Sequence, residues 1–344
     1  MEDQKPPFTA TIVADPAEAV APAGPLSLPY EEGCKKIREL ALRQLNRFMS
    51  YEAKVLKGDD ADAIHDMRVA SRRLQQVLDL LYPKPRHPEL RRLRRQIRRC
   101  RQALGEVRNC DVLLEHVELA LGRKRSARRE AWTAVQHFLR VSRSECFLRA
   151  LRKLGKINLA VFYVNLKDFF HHDKVLDQAS GHHAHGQSPA TFAQDLNKAL
   201  EAAWSGFEHH IADSHRDSRP EVIHGARIAT KRLRYLLEVF HELGVEGSAE
   251  ALGWLRQLQN QLGDWHDLEV LEQKMVEMVA RPEYLRDHLP MAMEVEKLIL
   301  RNRKSKGTLE DQYRQMSRES GDLRKLKEWV SYLLASPSAP LARA

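Results

Sequence analysis

Two short runs of this sequence place an imidazole three residues ahead of a guanidinium, with a further cation one turn on. His65, Arg68 and Arg72 lie in AIHDMRVASRRLQQVLDLLY (63–82), and His224, Arg227 and Lys231 in VIHGARIATKRLRYLLEVFH (222–241). On a helical wheel at about 100° per residue, Arg68 and Arg72 fall within about 60° of His65. Ala70, Leu74, Val77, Leu78 and Leu81 gather on the opposite side, so each run is an amphipathic helix with a His/Arg face. The second run repeats the geometry, with Leu233, Leu236, Leu237 and Phe240 opposite its cations. Arg73 and Arg232 sit at the edge of the stripe.

The chemistry such a face offers is anion binding. Arg68 and Arg72 are neighbours of like charge, which costs an isolated helix a few tenths of a kcal/mol. A bound anion would offset that cost. The guanidinium fork matches phosphate oxygens in geometry, and an imidazole adds a donor in either charge state. A second source of cations lies downstream. RHPELRRLRRQIRRCRQALG (86–105) carries eight arginines between Arg86 and Arg101. Leu90, Leu93, Ile97, Cys100 and Leu104 form its apolar stripe. Arg94, Arg98 and Arg101 flank that stripe and are read as reaching toward a groove, whereas Arg91, Arg92, Arg95 and Arg99 are read as solvated surface.

The elements that must position these groups are helical. Leu, Ala, Arg and Glu dominate, and glycine (16) and proline (15) are few for 344 residues, a composition that favours helices. Hydrophobic residues at 43% suffice for a core. The patterning predicts a helix from Tyr30 to near Gly58, capping residues at Asp59 to Asp62, a helix to Tyr82, one from Pro88 to Leu104 stopped by Gly105, and others over 109–121, 126–154 and 157–170. Residues 1–29 and 336–344 are read as tails, and 171–189 as a His-rich linker. That linker has no Cys partners and is not read as a metal site.

The two runs align without a gap at an offset of 159, and LGEVRNCDV (104–112) matches LGDWHDLEV (262–270) at 158. Two blocks at nearly one offset point to a duplication: a first repeat over 30–170 and a second over 190–335, each long enough for an antiparallel bundle. The fold class expected is all-α, two pseudo-symmetric bundles. Charge is placed unevenly. Residues 30–170 hold 32 Lys/Arg against 17 Asp/Glu, a net +15, whereas 171–344 hold 23 against 26. Arg98 aligns with Arg256, but most basic positions of the first copy are not repeated. A basic half predicts an anionic partner, contacted mostly by the first copy.

No phosphate-binding glycine loop, nucleophile elbow or H-E-x-x-H run is present. His65-Asp66 is like the pair of metal phosphohydrolases, but the second copy reads His224-Gly225. The expectation is therefore no enzyme, no cofactor and no metal. The cysteines (Cys34, Cys100, Cys110, Cys146) lack metal spacing and suit a reduced setting. The acidic N-terminus without an apolar core region and the lack of a spanning apolar run predict a cytoplasmic location.

The paired motifs IHDMRVASRRL (64–74) and IHGARIATKRLRY (223–235), with the two L-G blocks, resemble the CHAD domain, the conserved histidine α-helical domain, over about residues 30–335. The resemblance implies two bundles about a pseudo-twofold with a basic central channel, binding of inorganic polyphosphate, and association with polyphosphate granules. By position the channel would include His65, Arg68, Arg72, Arg73, His224, Arg227, Lys231 and Arg232. Arg108 matches the family's L-G-x-x-R-D arginine, with Asn109 in place of the Asp. His266 stands at the equivalent place in the second copy, and Asp267 keeps the acid. Some members carry a fused triphosphatase-type domain; a stand-alone binding module is expected here. The alternatives weighed are a single-stranded RNA binder and, third, a metal-dependent phosphohydrolase.

Overall fold

A computed structural model describes residues 30–82, 88–123, 128–171, 190–318 and 320–335. The tails at 1–29 and 336–344 and most of the linker lie outside them; His171 closes a helix. Every regular element among the described residues is an α-helix. In chain order they are α1 (Tyr30–Ser50), α2 (Glu52–Lys57), α3 (Ala61–Leu81), α4 (Pro88–Ala103), α5 (Gly105–Leu121), α6 (Arg129–Leu154) and α7 (Leu159–His171). Then follow α8 (Ala190–Arg216), α9 (Pro220–Glu242), α10 (Ser248–Val279), α11 (Pro282–Asp287), α12 (Leu289–Ser317) and α13 (Gly321–Ala335).

Shifting the first seven helices by 159 residues lands each on a helix of the second half. α3 falls on α9, α6 on α12 and α7 on α13. The α1–α2 pair falls on the uninterrupted α8, and the α4–α5 pair on the uninterrupted α10. The neighbours correspond too: α1 packs on α3 as α8 does on α9, and α5 on α6 as α10 does on α12. Several helices also meet their own counterparts, α1 against α8, α3 against α9, α5 against α10 and α6 against α12.

The apolar stripes explain this packing. Leu74, Val77 and Leu78 of α3 and Leu233, Leu236 and Leu237 of α9 are buried in one continuous core that also takes α1, α4, α7, α8, α10 and α13. A second cluster joins Leu113 and Val117 of α5, Val135 and Leu139 of α6, Leu271 and Met275 of α10, and Val295 and Leu298 of α12. Both cores draw on both halves, so burial of apolar surface holds the halves together. No helix among the described residues is long and apolar enough to cross a membrane.

The start of α3, which sets the phase of the first stripe, is fixed locally. Asp60 caps it by accepting from the Ala63 amide at 2.8 Å. Gly58 ends α2 at φ +80°. Its carbonyl accepts from Arg143 Nη2 at 2.9 Å, and Arg143 Nε bonds the buried Asp111 carboxylate. A Cβ at Gly58 would lie 2.1 Å from Phe147 Cζ. Gly58→Ala is therefore expected to destabilise the fold by about 2–4 kcal/mol, combining left-handed strain with overpacking. A urea midpoint equal to that of the parent would refute the close packing at this turn.

Candidate functional site

The stripes of α3 and α9 end on the same place. Buried beneath them are Ile64, Met67, Ser71 and Leu74 on one helix and Ile223, Ala226, Thr230 and Leu233 on the other. The cations are thereby held on the remaining faces, and the α3–α9 approach turns those faces toward each other. Arg72 is close enough to depress the pKa values of both Arg227 and Lys231, and Arg68 that of Lys231.

Arg68 is held by the break between α4 and α5. A helix end leaves carbonyls without intrahelical partners, and a cation there also meets the negative end of the helix dipole. Arg68 Nη1 donates to the Arg101 carbonyl. It lies over Gly105, where a Cβ would sit 3.3 Å from Nη1. Burial, then the Arg72, Arg101 and Arg108 charges, lower its pKa to about 10. Burial and Arg72 likewise lower Arg101. In the second half α10 runs unbroken past Gly263, no such cap exists, and Arg227 Nε is buried without a partner.

Lys231 is the extreme case. Burial, followed by Arg227 and Arg72, pushes its pKa down to about 6, and Asp267 opposes this only weakly. Asp267 is itself so desolvated that its pKa is raised, in spite of Arg227, His116 and Lys231. Among the described residues, the side chains of Arg72, Arg101, Arg108, Arg227 and Lys231 make no hydrogen bond or ion pair. Half-buried cations without a counter-charge are costly, because partial desolvation is not offset by an ion pair.

The imidazoles stand at the edge of this cluster. His65 is exposed, and its pKa is lowered by partial desolvation and then by Arg108. Burial, with Arg227 and Lys231, lowers His224. His266 packs on His224 with ring centroids 5.1 Å apart, and burial drives its pKa down to about 3. All three are thus neutral donors near pH 7.

Several of the sequence-assigned residues lie outside this cluster. Arg73, expected in the stripe, is clamped by Glu238 through Nε at 2.9 Å and Nη2 at 3.2 Å. Glu238 also takes Arg234 at 2.6 Å, so this carboxylate joins α3 to α9. Arg94 turns back on α3, bonding the Leu78 carbonyl at 2.9 Å and the Asp79 carboxylate. An edge position on the wheel was in each case close enough to reach an acid. Arg98 is exposed beside Arg101. Arg232 is exposed and contributes to none of these shifts. Arg256 lines a separate cleft of about 150 Å³ with Arg73, Tyr235 and Glu238.

Tyr235 was overlooked in the sequence. It is buried, and its hydroxyl interacts electrostatically with Arg68, Arg101 and Arg227 together. Arg234 stacks on the ring at 4.5 Å. The wheel held the signal, because Tyr235 lies only about 20° from His224. His266 enters through its alignment with Arg108.

Comparison with known proteins was informative at the level of family and fold. The CHAD domain family matches residues 39–275. No curated protein sequence matches the chain. The crystal structure of the CHAD domain from the plant Ricinus communis is similar, with a TM-score of 0.62 at 22% identity, over 83% of this chain and 92% of that one. PptA from Streptomyces chartreusis gives a TM-score of 0.57 at 15% identity, over 83% and 99%.

Proposed function

The chain belongs to the CHAD domain family, and from that premise we propose that it binds inorganic polyphosphate between α3 and α9. Its helix order and counterpart packing are read as one duplicated unit about a pseudo-twofold, and the facing stripes as a basic channel along that axis. The observation that carries this reading is the set of cations without a counter-charge, Arg68, Arg72, Arg101, Arg108, Arg227 and Lys231, gathered from both halves around one half-buried acid, Asp267. An anion of matching charge density within such a cluster would offset its repulsion. A chain carrying a charge on every phosphate supplies that density, and neutral His65, His224 and His266 add donors without adding repulsion.

Single-stranded RNA is the less suitable guest. Base stacking needs open aromatic faces, and the aromatic ring among these cations, Tyr235, is 7% exposed and already covered by Arg234. Phosphohydrolysis would need carboxylates free to hold a metal. The Asp66 carboxylate accepts the Tyr51 hydroxyl at 2.9 Å, and the described residues offer no group of three metal-ligating side chains. We propose a binding module, suited to targeting its chain to polyphosphate granules.

Titration calorimetry with polyphosphate and with RNA of equal charge, over a salt series with and without chelator, tests this. Polyphosphate is expected to bind more tightly. Engaging about six cations should make log K fall against log salt with a slope near −4 to −5. Equal affinity for RNA would overturn the assignment, and phosphate release dependent on a divalent metal would favour the hydrolase.

A further inference from the structure

The arginines on the outer face of α4 have no part in the cluster just described. With Leu90, Leu93, Ile97 and Cys100 turned into the core, Arg91, Arg95, Arg98 and Arg99 are exposed. Among the described residues none of the four makes a hydrogen bond or ion pair. The cause lies in the sequence: the one acid of α4 is Glu89, which is taken by Arg92 and by Asn165. Other exposed arginines in this protein do have acids, as Arg43 has Glu242 and Arg128 has Glu294.

The four are also continuous with the cleft. From the edge of the apolar stripe, Arg101, Arg98, Arg91, Arg95 and Arg99 follow one another around α4 through about 160° of arc. Arg98 is near enough to Arg101 to depress its pKa, and Arg101 in turn lies beside Arg72. The helical counterpart in α10 repeats Arg98 as Arg256 but carries Ala249, Gly253 and Gln257 where α4 has Arg91, Arg95 and Arg99, so the continuous strip belongs to the first half.

We infer that this outer strip of α4 is a second contact surface for the same polyanion, carrying the part of a long polyphosphate chain that extends beyond the α3–α9 cleft. The inference rests on the cleft being a polyphosphate site. A short chain fills the cleft alone, and a long one leaves it past Arg98 and lies along α4. The strip is thus a chain-length selector: it adds affinity, and salt dependence, only for ligands long enough to reach it.

The test is a variant carrying Arg91→Gln, Arg95→Gln and Arg99→Gln, titrated with short-chain and long-chain polyphosphate at near-physiological salt. Screening over about 8 Å there keeps the outer charges from acting on the cleft through solvent. All three side chains are exposed and unpaired, so the fold should be unaffected, and circular dichroism verifies it. Long-chain affinity should fall about tenfold and its salt slope should shrink by about 2, while short-chain affinity stays within twofold. Unchanged long-chain binding would reduce the strip to solvated surface. Equal losses for both lengths would leave only a diffuse field, and either result overturns the inference. Failure of the cleft itself would read differently, as short-chain binding indifferent to changes at Arg68 and Arg227.

Discussion

Replacing Arg68 and Arg227 together by Gln is expected to weaken short-chain polyphosphate binding by a hundredfold or more. Each guanidinium is the repeated cation of its stripe, and each is largely removed from water. A hydrogen bond to a charged group contributes about 1.5–3 kcal/mol, so two such losses amount to about 3–6 kcal/mol. The companion variant, Arg91→Gln with Arg92→Gln, removes equal charge from the outer face of α4, and its effect on a short chain should stay below about threefold. Calorimetry on the two variants decides the matter. If they lose affinity alike, position is irrelevant and the α3–α9 cleft is not the site. Thermal unfolding verifies that both variants are folded.

Lys231→Met is expected to have the opposite effects on stability and binding. In the folded chain the ammonium is disfavoured down to a pKa of about 6, against 10.5 ordinarily. Between those values the unfolded chain binds more protons than the folded one, so stability rises with pH across the window and is flat below it. The slope is at most about 1.4 kcal/mol per pH unit. The parent should therefore be more stable at pH 9 than at pH 7 by up to about 3 kcal/mol, measured by urea unfolding. The variant should lose that difference and be the more stable protein at pH 7. The histidine pKa values are lowered from 6.5, so their contribution falls below the pH 7 to pH 9 comparison, and Arg68 titrates above it. Binding of polyphosphate at pH 8 should draw about one proton into the parent as Lys231 becomes charged, and none into the variant. Calorimetry in buffers of different ionisation enthalpy measures that uptake. A parent whose stability is level from pH 7 to pH 9 would mean that Lys231 carries a counter-charge already.

The order of these helices was legible because it depends on local periodicity. Capping chemistry at Asp60, the Gly58 stop, and the 3.6-residue recurrence of Leu74, Val77 and Leu78 are all short-range signals. The segment after Ile157, apolar and β-branched enough to pass for a strand, is helix α7, where Phe162, Leu166, Phe169 and Phe170 line the buried side. Boundaries were less well read. The expected start near residue 109 is in fact Gly105, since the chain turns only at Leu104 before the next helix begins.

What the sequence by itself determined is the stripe: residue types, helical phase, the opposing apolar face and the excess of charge in the first half. These follow from the covalent order alone, because a helix fixes which residues share a face. What only the tertiary structure decided is which cations remain unpaired. Arg73, at the edge of the α3 stripe, and Arg94, beside the apolar stripe of α4, share residue type with Arg68 and Arg72, yet Glu238 and Asp79 neutralise them, the first across the α3–α9 contact and the second across α3–α4. Arg68 is fixed by a carbonyl left available where α4 breaks at Leu104, and Lys231 is a near-neutral amine because burial takes it from water and the Arg227 and Arg72 charges repel its own. Charge state and availability depend on distances of a few ångströms between elements far apart in the chain, and the linear order does not carry those distances.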